Sequence, residues 1–142
     1  MPDENLEIVR RSYEPPKGGL KLGQIDDWLA VDVIAHYFDP AVEWVPTPDG
    51  LLTSQSYRGY EGLRRFWTDL LSSCDELAIE PLEFSARGEQ VVVVQRMNIK
   101  ARGIVVDEVW SRLYQLRDGR IIRVKTFTNP VAASEEAAAT PS

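Results

Sequence analysis

The sequence predicts a single domain of the α+β class, in which helices pack on one face of a curved antiparallel sheet. Three observations indicate this. Amphipathic helical patterns fill the first half of the 142 residues, strand-like segments fill the second half, and tight-turn signals separate those segments. A chain of this length suits one domain with one hydrophobic core.

Three helices are predicted, all before the main run of strands. They cover residues 3–14, 24–38 and 60–73. In each, apolar side chains recur near the spacing of an amphipathic helix. Asp3 or Asn5 can cap the first helix, and Pro15-Pro16 ends it because proline cannot continue a helix. Asp39-Pro40 ends the second helix.

Five strands are predicted, and four of them follow one another directly. The strands cover residues 42–45, 77–87, 90–101, 105–117 and 120–129. Tight turns are indicated at Arg87–Glu89 and at Asp118-Gly119, and a bend is indicated at Arg102-Gly103. Because tight turns join antiparallel neighbours, the sheet is predicted to be antiparallel, and long strands of this kind twist and curve.

The end of the chain has a different composition. Residues 131–142 are rich in Ala, Glu, Ser and Thr. Chain termini of this kind are commonly poorly ordered, so we expect a flexible tail with at most a short helical turn. The sequence thus predicts one domain over residues 1–130, followed by this tail.

The chain is acidic, with a formal net charge of −6. This charge would repel a phosphate backbone, so nucleic acid is not an expected partner. The longest wholly apolar run is Val91–Val94, far short of the ~20 residues that a membrane span needs, so no membrane is expected either. The N-terminus is unlike a signal peptide and a single cysteine excludes an internal disulfide, so we expect a cytoplasmic protein.

One face of the strand at residues 105–117 is unusual. Because side chains alternate along a strand, Trp110, Arg112 and Tyr114 lie on the same side. A buried charge needs a partner, and Glu108 is about 13 Å away along the strand, so a carboxylate or carbonyl group of a bound ligand would serve instead. The pattern favours an apolar pocket. The alternative is that this face lies outside, with Arg112 in water and the aromatic rings on a partner subunit.

Other chemistry-bearing side chains have ordinary explanations. His36, the only histidine, is predicted near the end of the second helix, where a cation suits the helix dipole. Asp26 and Asp27 suit the first turn of that helix, whereas Asp32 could face the pocket. Cys74 fits a small buried hydrophobe. One histidine and one cysteine do not supply the cluster that zinc prefers, so neither a metal nor a cofactor is expected.

Four segments together resemble the nuclear transport factor 2-like superfamily, in particular its SnoaL-like branch, which has a ketosteroid isomerase-like fold. The segments are Glu4–Arg11, Phe38–Trp44, Tyr57–Trp67 and Leu116–Val124. The resemblance extends over nearly the whole chain to about residue 129. It implies a cone-shaped α+β barrel with an apolar pocket, and commonly a homodimer formed through the sheet.

The resemblance carries no complete catalytic set to this chain. Ketosteroid isomerase-like members have a carboxylate base where Trp44 aligns and an acid where Arg112 aligns, although Tyr13 matches their oxyanion-binding tyrosine. Limonene epoxide hydrolase-like members use an Asp-Arg-Asp set, whereas Thr126 and Thr128 occupy the last strand here. SnoaL-type cyclases need an aspartate base that faces the pocket, and none is assigned. The catalytic residues therefore stay unknown.

Two functions remain open at this point. The first is binding of a small apolar ligand, with an anionic or carbonyl end, in a pocket between helices and sheet. The candidate ligand-binding residues are Tyr13, Trp44, Phe66, Met97, Trp110, Arg112, Tyr114, Thr126 and Thr128. The second is an enzyme of the isomerase, cyclase or epoxide hydrolase type that acts on a polyketide- or steroid-like substrate, which requires a carboxylate or histidine in the pocket.

A surface for homodimer formation is also predicted, and it is compatible with either function. It would lie on the opposite face of the sheet. The residues that would contribute are Val92, Val94, Val109, Leu113 and Phe127.

Overall fold

The computed structural model describes residues 2–12, 37–45, 56–73 and 75–139, which form an α+β domain with a six-stranded curved sheet. The helices are α1 (Pro2–Ser12), α2 (Gly59–Ser73) and α3 (Ala132–Ala139). The strands are β1 (Phe38–Val45), β2 (Tyr57–Arg58), β3 (Glu76–Arg87), β4 (Gln90–Ala101), β5 (Ile104–Arg117) and β6 (Arg120–Phe127). The four consecutive strands predicted from alternation and turns are confirmed to within one residue, except that β6 ends two residues earlier, at Phe127.

The sheet has the strand order β2-β1-β6-β5-β4-β3. The pairs β3–β4, β4–β5 and β5–β6 are antiparallel, as the tight turns predict. The prediction of a wholly antiparallel sheet is wrong at one pair, because β1 runs parallel to β6. No tight turn connects these two strands, so the local turn signals do not determine their relative direction.

The turns on both sides of β5 require left-handed backbone. Arg102 and Gly103 have φ angles of 52° and 80°, and Asp118 and Gly119 have φ angles of 54° and 77°. Two successive residues with positive φ fit the tight hairpin turns that match the twist of the flanking strands. A Cβ atom added at either glycine would meet nothing within 4 Å, so backbone conformation and not space favours glycine there.

The helix boundaries differ in two places from the prediction. α1 already begins at Pro2, so Asp3 and Asn5 lie inside it and not at its cap. The predicted second helix, residues 24–38, falls almost wholly outside the described residues. Tyr37 is helical and Phe38 already begins β1, so this helix ends one residue before its predicted end. None of the described helices combines the length and apolarity needed to cross a bilayer.

The main core lies between the sheet and helices α1 and α2. We call the sheet face that it covers the inner face. Val9 of α1 and Leu63, Phe66 and Trp67 of α2 are buried against it. The buried sheet residues of this core are Val42, Trp44, Val91, Val93, Tyr114, Leu116, Ile121 and Val124.

The opposite face of the sheet, which we call the outer face, is covered in part by α3. Ala133 and Ala137 of this helix are buried against Val92 and Leu113, and Phe127 packs at the edge. Two of the five residues predicted for a homodimer surface are thus buried under the chain's own helix, so homodimer formation through the sheet stays a prediction.

The start of α3 is fixed by two polar side chains, where the sequence indicated a flexible tail. The Oδ1 atom of Asn129 accepts hydrogen bonds from the backbone N–H groups of Val131 and Ala132, at 3.0 and 2.8 Å. The hydroxyl of Ser111 accepts one from Ala133 at 3.1 Å and donates to the carbonyl of Asn129 at 2.8 Å. These bonds satisfy backbone donors that a helix start otherwise leaves unpaired.

Candidate functional site

Trp44 is buried on β1 and belongs to an aromatic cluster. The cluster consists of Trp44, Tyr57, Phe66 and Trp67. The ring centroid of Trp44 lies 5.2 Å from that of Phe66 and 5.7 Å from that of Trp67. Phe66 also contacts Tyr57, with 5.4 Å between ring centroids. Tilted and edge-to-face rings at these distances are favourable, so α2 is fixed firmly over β1.

Arg112 lies on the inner face, buried, and beside this cluster. Its side chain is only 4% exposed. Its Nε atom donates a hydrogen bond to Oγ1 of Thr126 at 3.1 Å, and Nη1 donates to the hydroxyl of Tyr114 at 3.3 Å. Its guanidinium carbon is 5.0 Å from the ring centroid of Trp44. The alternative that Arg112 lies in water is therefore wrong.

The sheet register explains why these side chains meet. Arg112 on β5 is directly opposite Thr126 on β6. Val124, one inward position away on β6, is paired with Tyr114 on one side and with Trp44 on the other. Trp44, Arg112, Tyr114 and Thr126 therefore occupy neighbouring inward positions on three adjacent strands.

Met97 and Trp110 belong to a separate, adjoining cluster with Ile99. The indole Nε1 of Trp110 donates a hydrogen bond to Oε1 of Glu108 at 2.9 Å. Gln95, paired with Trp110 across the strands, donates from Nε2 to the sulfur of Met97 at 3.2 Å. Glu108, considered above as a distant partner for Arg112, thus pairs with a tryptophan.

The two tryptophans differ in one respect that bears on binding. Trp110 Nε1 has its acceptor in Glu108, whereas Trp44 Nε1 is buried and no described residue accepts a hydrogen bond from it. Trp44 itself is 2% exposed. The site therefore combines a buried cation, aromatic walls and a buried N–H donor without a described acceptor.

Five of the nine candidate ligand-binding residues come together in this arrangement: Trp44, Phe66, Arg112, Tyr114 and Thr126. Met97 and Trp110 lie next to it, and Thr128 is half-buried just after β6. Tyr13 lies outside the described residues, as do Asp26, Asp27, Asp32, His36 and Cys74.

Two residues of this region were not among the sequence-based candidates. Gln95 is fully buried on the inner face, and the alternation that places Met97 there places Gln95 beside it. Trp67 was interpreted as ordinary core, but it contacts Trp44 directly. A polar residue between apolar neighbours was the available signal for Gln95.

Two carboxylates on strands of the candidate site, Glu43 on β1 and Glu108 on β5, make contacts away from Arg112. Glu43 lies on the outer face, where its carboxylate is 3.6 Å from Nη2 of Arg58 and 3.2 Å from Nε of Arg123. Glu108 accepts the hydrogen bond from Trp110. Within the part of the chain that the structure describes, no group of three or more His, Cys, Asp or Glu side chains could hold a metal ion.

A surface cavity of about 350 Å³ lies at a different place in the fold, between α1 and the turn that joins β5 to β6. Its lining residues are Glu4, Glu7, Ile8, Arg11, Tyr37 and Gly119. Glu7 Oε1 and Arg11 Nε are 3.1 Å apart and partly neutralise each other. None of the candidate ligand-binding residues that the structure describes lines this cavity.

Three solved structures illustrate the fold that this chain shares. TerC, co-crystallised with polyporic acid, is 23% identical over 93% of this chain and 96% of its own, with a TM-score of 0.68. A protein from Jannaschia sp. CCS1, provisionally assigned as a SnoaL-like polyketide cyclase, is 22% identical over 98% and 94%, with a TM-score of 0.69. Bal32a, from a soil-derived mobile gene cassette, is 14% identical over 95% and 96%, with a TM-score of 0.71.

Sequence identities of 14–23% show that these proteins share a fold, but they do not show that they share an activity.

No curated protein matches the chain significantly. The family model of the SnoaL-like domain matches residues 26–124, which is more than half of the chain. Further solved structures with the same fold are NTF2-like proteins. The chain therefore belongs to the SnoaL-like domain family, and its fold is that of the NTF2-like proteins.

Proposed function

We propose that this chain binds a small, largely apolar molecule between α2 and the inner face of the sheet, with an oxygen-bearing end of the molecule next to Arg112. The observation that carries the proposal is the burial of Arg112 against the ring of Trp44. Ligand sites typically have apolar and aromatic walls with a few fixed polar groups, and this set of side chains has that character.

The position of Arg112 suits recognition of a negative or carbonyl oxygen. Its bonds to Thr126 and Tyr114 hold the guanidinium in one orientation, so little side-chain entropy would be lost on binding. A fixed charge also acts more strongly away from bulk water, because the local dielectric constant is lower. Such an arrangement favours ligands that present an oxygen there over wholly apolar ones.

Two relatives support small-molecule binding as a role. TerC was co-crystallised with polyporic acid, and the Jannaschia protein carries a provisional assignment as a polyketide cyclase. Each of these statements concerns that protein alone. Their fold is the fold of this chain, and the inner face is where its helices and sheet enclose aromatic and polar side chains together.

A matched pair of substitutions tests the proposal. Thermal-shift screening of small aromatic acids, ketones and hydrocarbons would identify binders, and calorimetry would measure their affinities for wild type, Arg112→Met and Arg96→Met. Arg96 is the control because it lies on the same sheet but is exposed and paired with Asp107. We expect Arg112→Met to weaken oxygen-bearing binders about tenfold or more and Arg96→Met to leave them unchanged.

Two results would contradict the proposed binding function. If Arg112→Met, shown to be folded by circular dichroism, bound every hit as tightly as wild type, Arg112 would have no role in binding. A crystal structure of the protein as purified would add direct evidence, since side chains that fill the space beside Trp44 completely would contradict a pocket.

A second candidate function is catalysis of the isomerase, cyclase or epoxide hydrolase type on a polyketide- or steroid-like substrate. The provisional cyclase assignment of the Jannaschia relative favours it. Such chemistry needs a carboxylate or histidine beside the bound molecule. Turnover that is lost in Asp32→Asn or His36→Gln, while binding persists, would establish an enzyme. Binding without turnover of any such substrate would leave the binding function alone.

A further inference from the structure

The surface cavity beside α1 is separate from the candidate site, and we call it the α1 cavity. Its volume of about 350 Å³ is within the range of cavities that hold small molecules. Three separate segments build its wall: α1, Tyr37 just before β1, and Gly119 of the β5–β6 turn. A Cβ atom added at Gly119 would meet nothing within 4 Å, so no side chain crowds the space beside this residue. The α1 cavity therefore has room for a ligand.

The apolar part of the α1 cavity is held in place by the main core. Ile8 and Tyr37 are each half-buried and pack against the core between α1 and the sheet. Side chains that are already fixed lose little entropy when they bind a ligand. An aromatic ring also attracts a cation to its face, so Tyr37 suits a positively charged group that is attached to an apolar body.

The charged part of the α1 cavity is negative on balance. Glu4 and Glu7 are three residues apart, so they are neighbours on one side of α1. Arg11 is the only cation among the described lining residues, and its Nε atom lies 3.1 Å from Oε1 of Glu7. Two carboxylates thus line the cavity with one guanidinium, in a chain whose net charge of −6 also attracts cations.

The ion pair between Glu7 and Arg11 leaves the cavity accessible to a cation. The two side chains are 48% and 57% exposed, and ion pairs that are exposed to this extent contribute little to stability. Arg10 is also within 3.8 Å of Glu7, but it does not line the cavity, and its guanidinium lies over the ring of Phe84. A ligand cation can therefore replace Arg11 at the carboxylate of Glu7 at small cost.

We propose that the α1 cavity is a second binding site, which takes a small organic cation with a primary ammonium group on a short apolar or aromatic body. This goes beyond the proposed function, in which Arg112 holds an oxygen-bearing end of a different ligand. The carboxylates of Glu4 and Glu7 disfavour anions, and the apolar surface of Ile8 and Tyr37 favours carbon over a hydrated metal ion. Calcium takes about six to eight oxygen ligands, whereas the described residues contain no group of three acidic or other metal-binding side chains.

Three probes of similar size with different ends test this site: 2-phenylethylammonium, 2-phenylethanol and 3-phenylpropanoate. Their affinities would be measured by NMR titration of the ¹⁵N-labelled full chain at low salt. The backbone N–H signals of Ile8, Tyr37 and Gly119 report on the α1 cavity. We expect the ammonium probe to move these signals and to bind about fivefold or more tightly than the alcohol, with the carboxylate weakest. High salt should reduce the preference for the ammonium probe.

Two substitutions with opposite expected effects connect this binding to the lining charges. Glu4→Gln removes a lining carboxylate and should weaken the ammonium probe about fivefold, whereas Arg11→Gln removes the competing cation and should strengthen it about threefold. A partly unfolded variant does not produce such a gain. Glu61→Gln is the control, because Glu61 is an exposed acid in the first turn of α2 and its loss changes the net charge equally. This control should leave the affinity unchanged.

Four results would overturn this inference. They are no binding of the ammonium probe at millimolar concentration, equal affinity for the alcohol, no gain in Arg11→Gln, and equal weakening in Glu4→Gln and Glu61→Gln. The last would show attraction to the overall charge of the chain and not binding in the α1 cavity. None of these results concerns Arg112, so the proposed function on the inner face would still depend on its own test.

Discussion

The two faces of the sheet are built differently although the same strands supply both. On β5, Arg112 and Tyr114 point to the inner face, and Ser111 and Leu113 point to the outer face. The inner face is covered by aromatic rings and buries a cation. The outer face is covered by alanines of α3, and its described ion pairs, such as Lys125–Glu136, lie partly in solvent. Among the described residues, the buried polar side chains of the outer face, Gln90 and Ser111, are uncharged, whereas the inner face buries the charge of Arg112. A fixed charge among aromatic rings is what the proposed binding site requires.

The largest expected effect tests how much more the inner face contributes to stability. Phe66 contacts three aromatic rings of the cluster, whereas Phe127 is only half-buried beside α3. We expect Phe66→Ala to lower the free energy of unfolding by about 3–5 kcal/mol, because a large buried ring leaves a cavity. Urea unfolding of Phe66→Ala and Phe127→Ala would measure both. Equal losses would contradict the contrast between the faces.

The next effect isolates the polar part of the inner face. Thr126→Val keeps the side-chain shape and removes the acceptor of the Arg112 Nε hydrogen bond. A buried charged donor then lacks that partner, so we expect a loss of about 1–3 kcal/mol in unfolding free energy. The same substitution at Thr68, exposed on α2, should change stability little. If Thr126→Val and Thr68→Val had the same free energy of unfolding, the buried hydrogen bond between Arg112 and Thr126 would contribute nothing to stability.

A smaller and local effect is expected on the outer face. Ser111→Ala removes the hydroxyl that accepts from the N–H of Ala133 at the start of α3. We expect a loss of about 1 kcal/mol, typical of a lost helix cap. Hydrogen exchange should accelerate over residues 131–139 and stay unchanged on the inner face. Unchanged exchange in α3 would mean that this bond does not hold the helix.

The smallest effect concerns an exposed pair outside both buried regions. Nε and Nη2 of Arg96 each donate a hydrogen bond to one carboxylate oxygen of Asp107, both at 2.9 Å. These hydrogen bonds and the charge of Arg96 lower the pKa of Asp107 below its ordinary value. Because the folded pKa is depressed, the pair stabilises the fold above the ordinary carboxyl pKa, and this contribution disappears as pH falls through the folded value. A carboxyl NMR titration should show the depressed pKa in wild type. In Arg96→Gln the pKa should return toward the ordinary value, and its failure to move would contradict the assignment.

The sequence predicted the local features of the fold better than its long-range ones. Alternation and the Asp118-Gly119 turn were sufficient for β4 to β6, because each of these strands pairs with its neighbour in the chain. The parallel pairing of β1 with β6 was missed, since no local signal specifies strand direction between distant segments. Helix α3 was missed because an alanine-rich segment has no contrast between an apolar and a polar face.

The candidate site was predictable to a similar extent. Alternation placed Arg112 and Tyr114 on one face, and the aligned position of Trp44 placed it near them. The alternation did not reveal that Glu108 pairs with Trp110, nor that Trp44 Nε1 has no described acceptor. Both facts depend on where individual donor and acceptor atoms lie, and the alternation of side chains along a strand does not specify those positions.

The parallel pairing of β1 with β6 also has a kinetic consequence. Strands β3 to β6 pair with sequence neighbours through short loops, whereas Trp44 on β1 must reach Val124 across most of the chain. Closing a long loop is entropically costly and slows folding, so we expect the β3–β6 meander to form first and β1 to dock last. Trp44 would then report the final folding step by its fluorescence. A nascent chain whose meander has formed would still lack the indole ring that lies against Arg112, so the proposed binding site would be complete only when folding is complete.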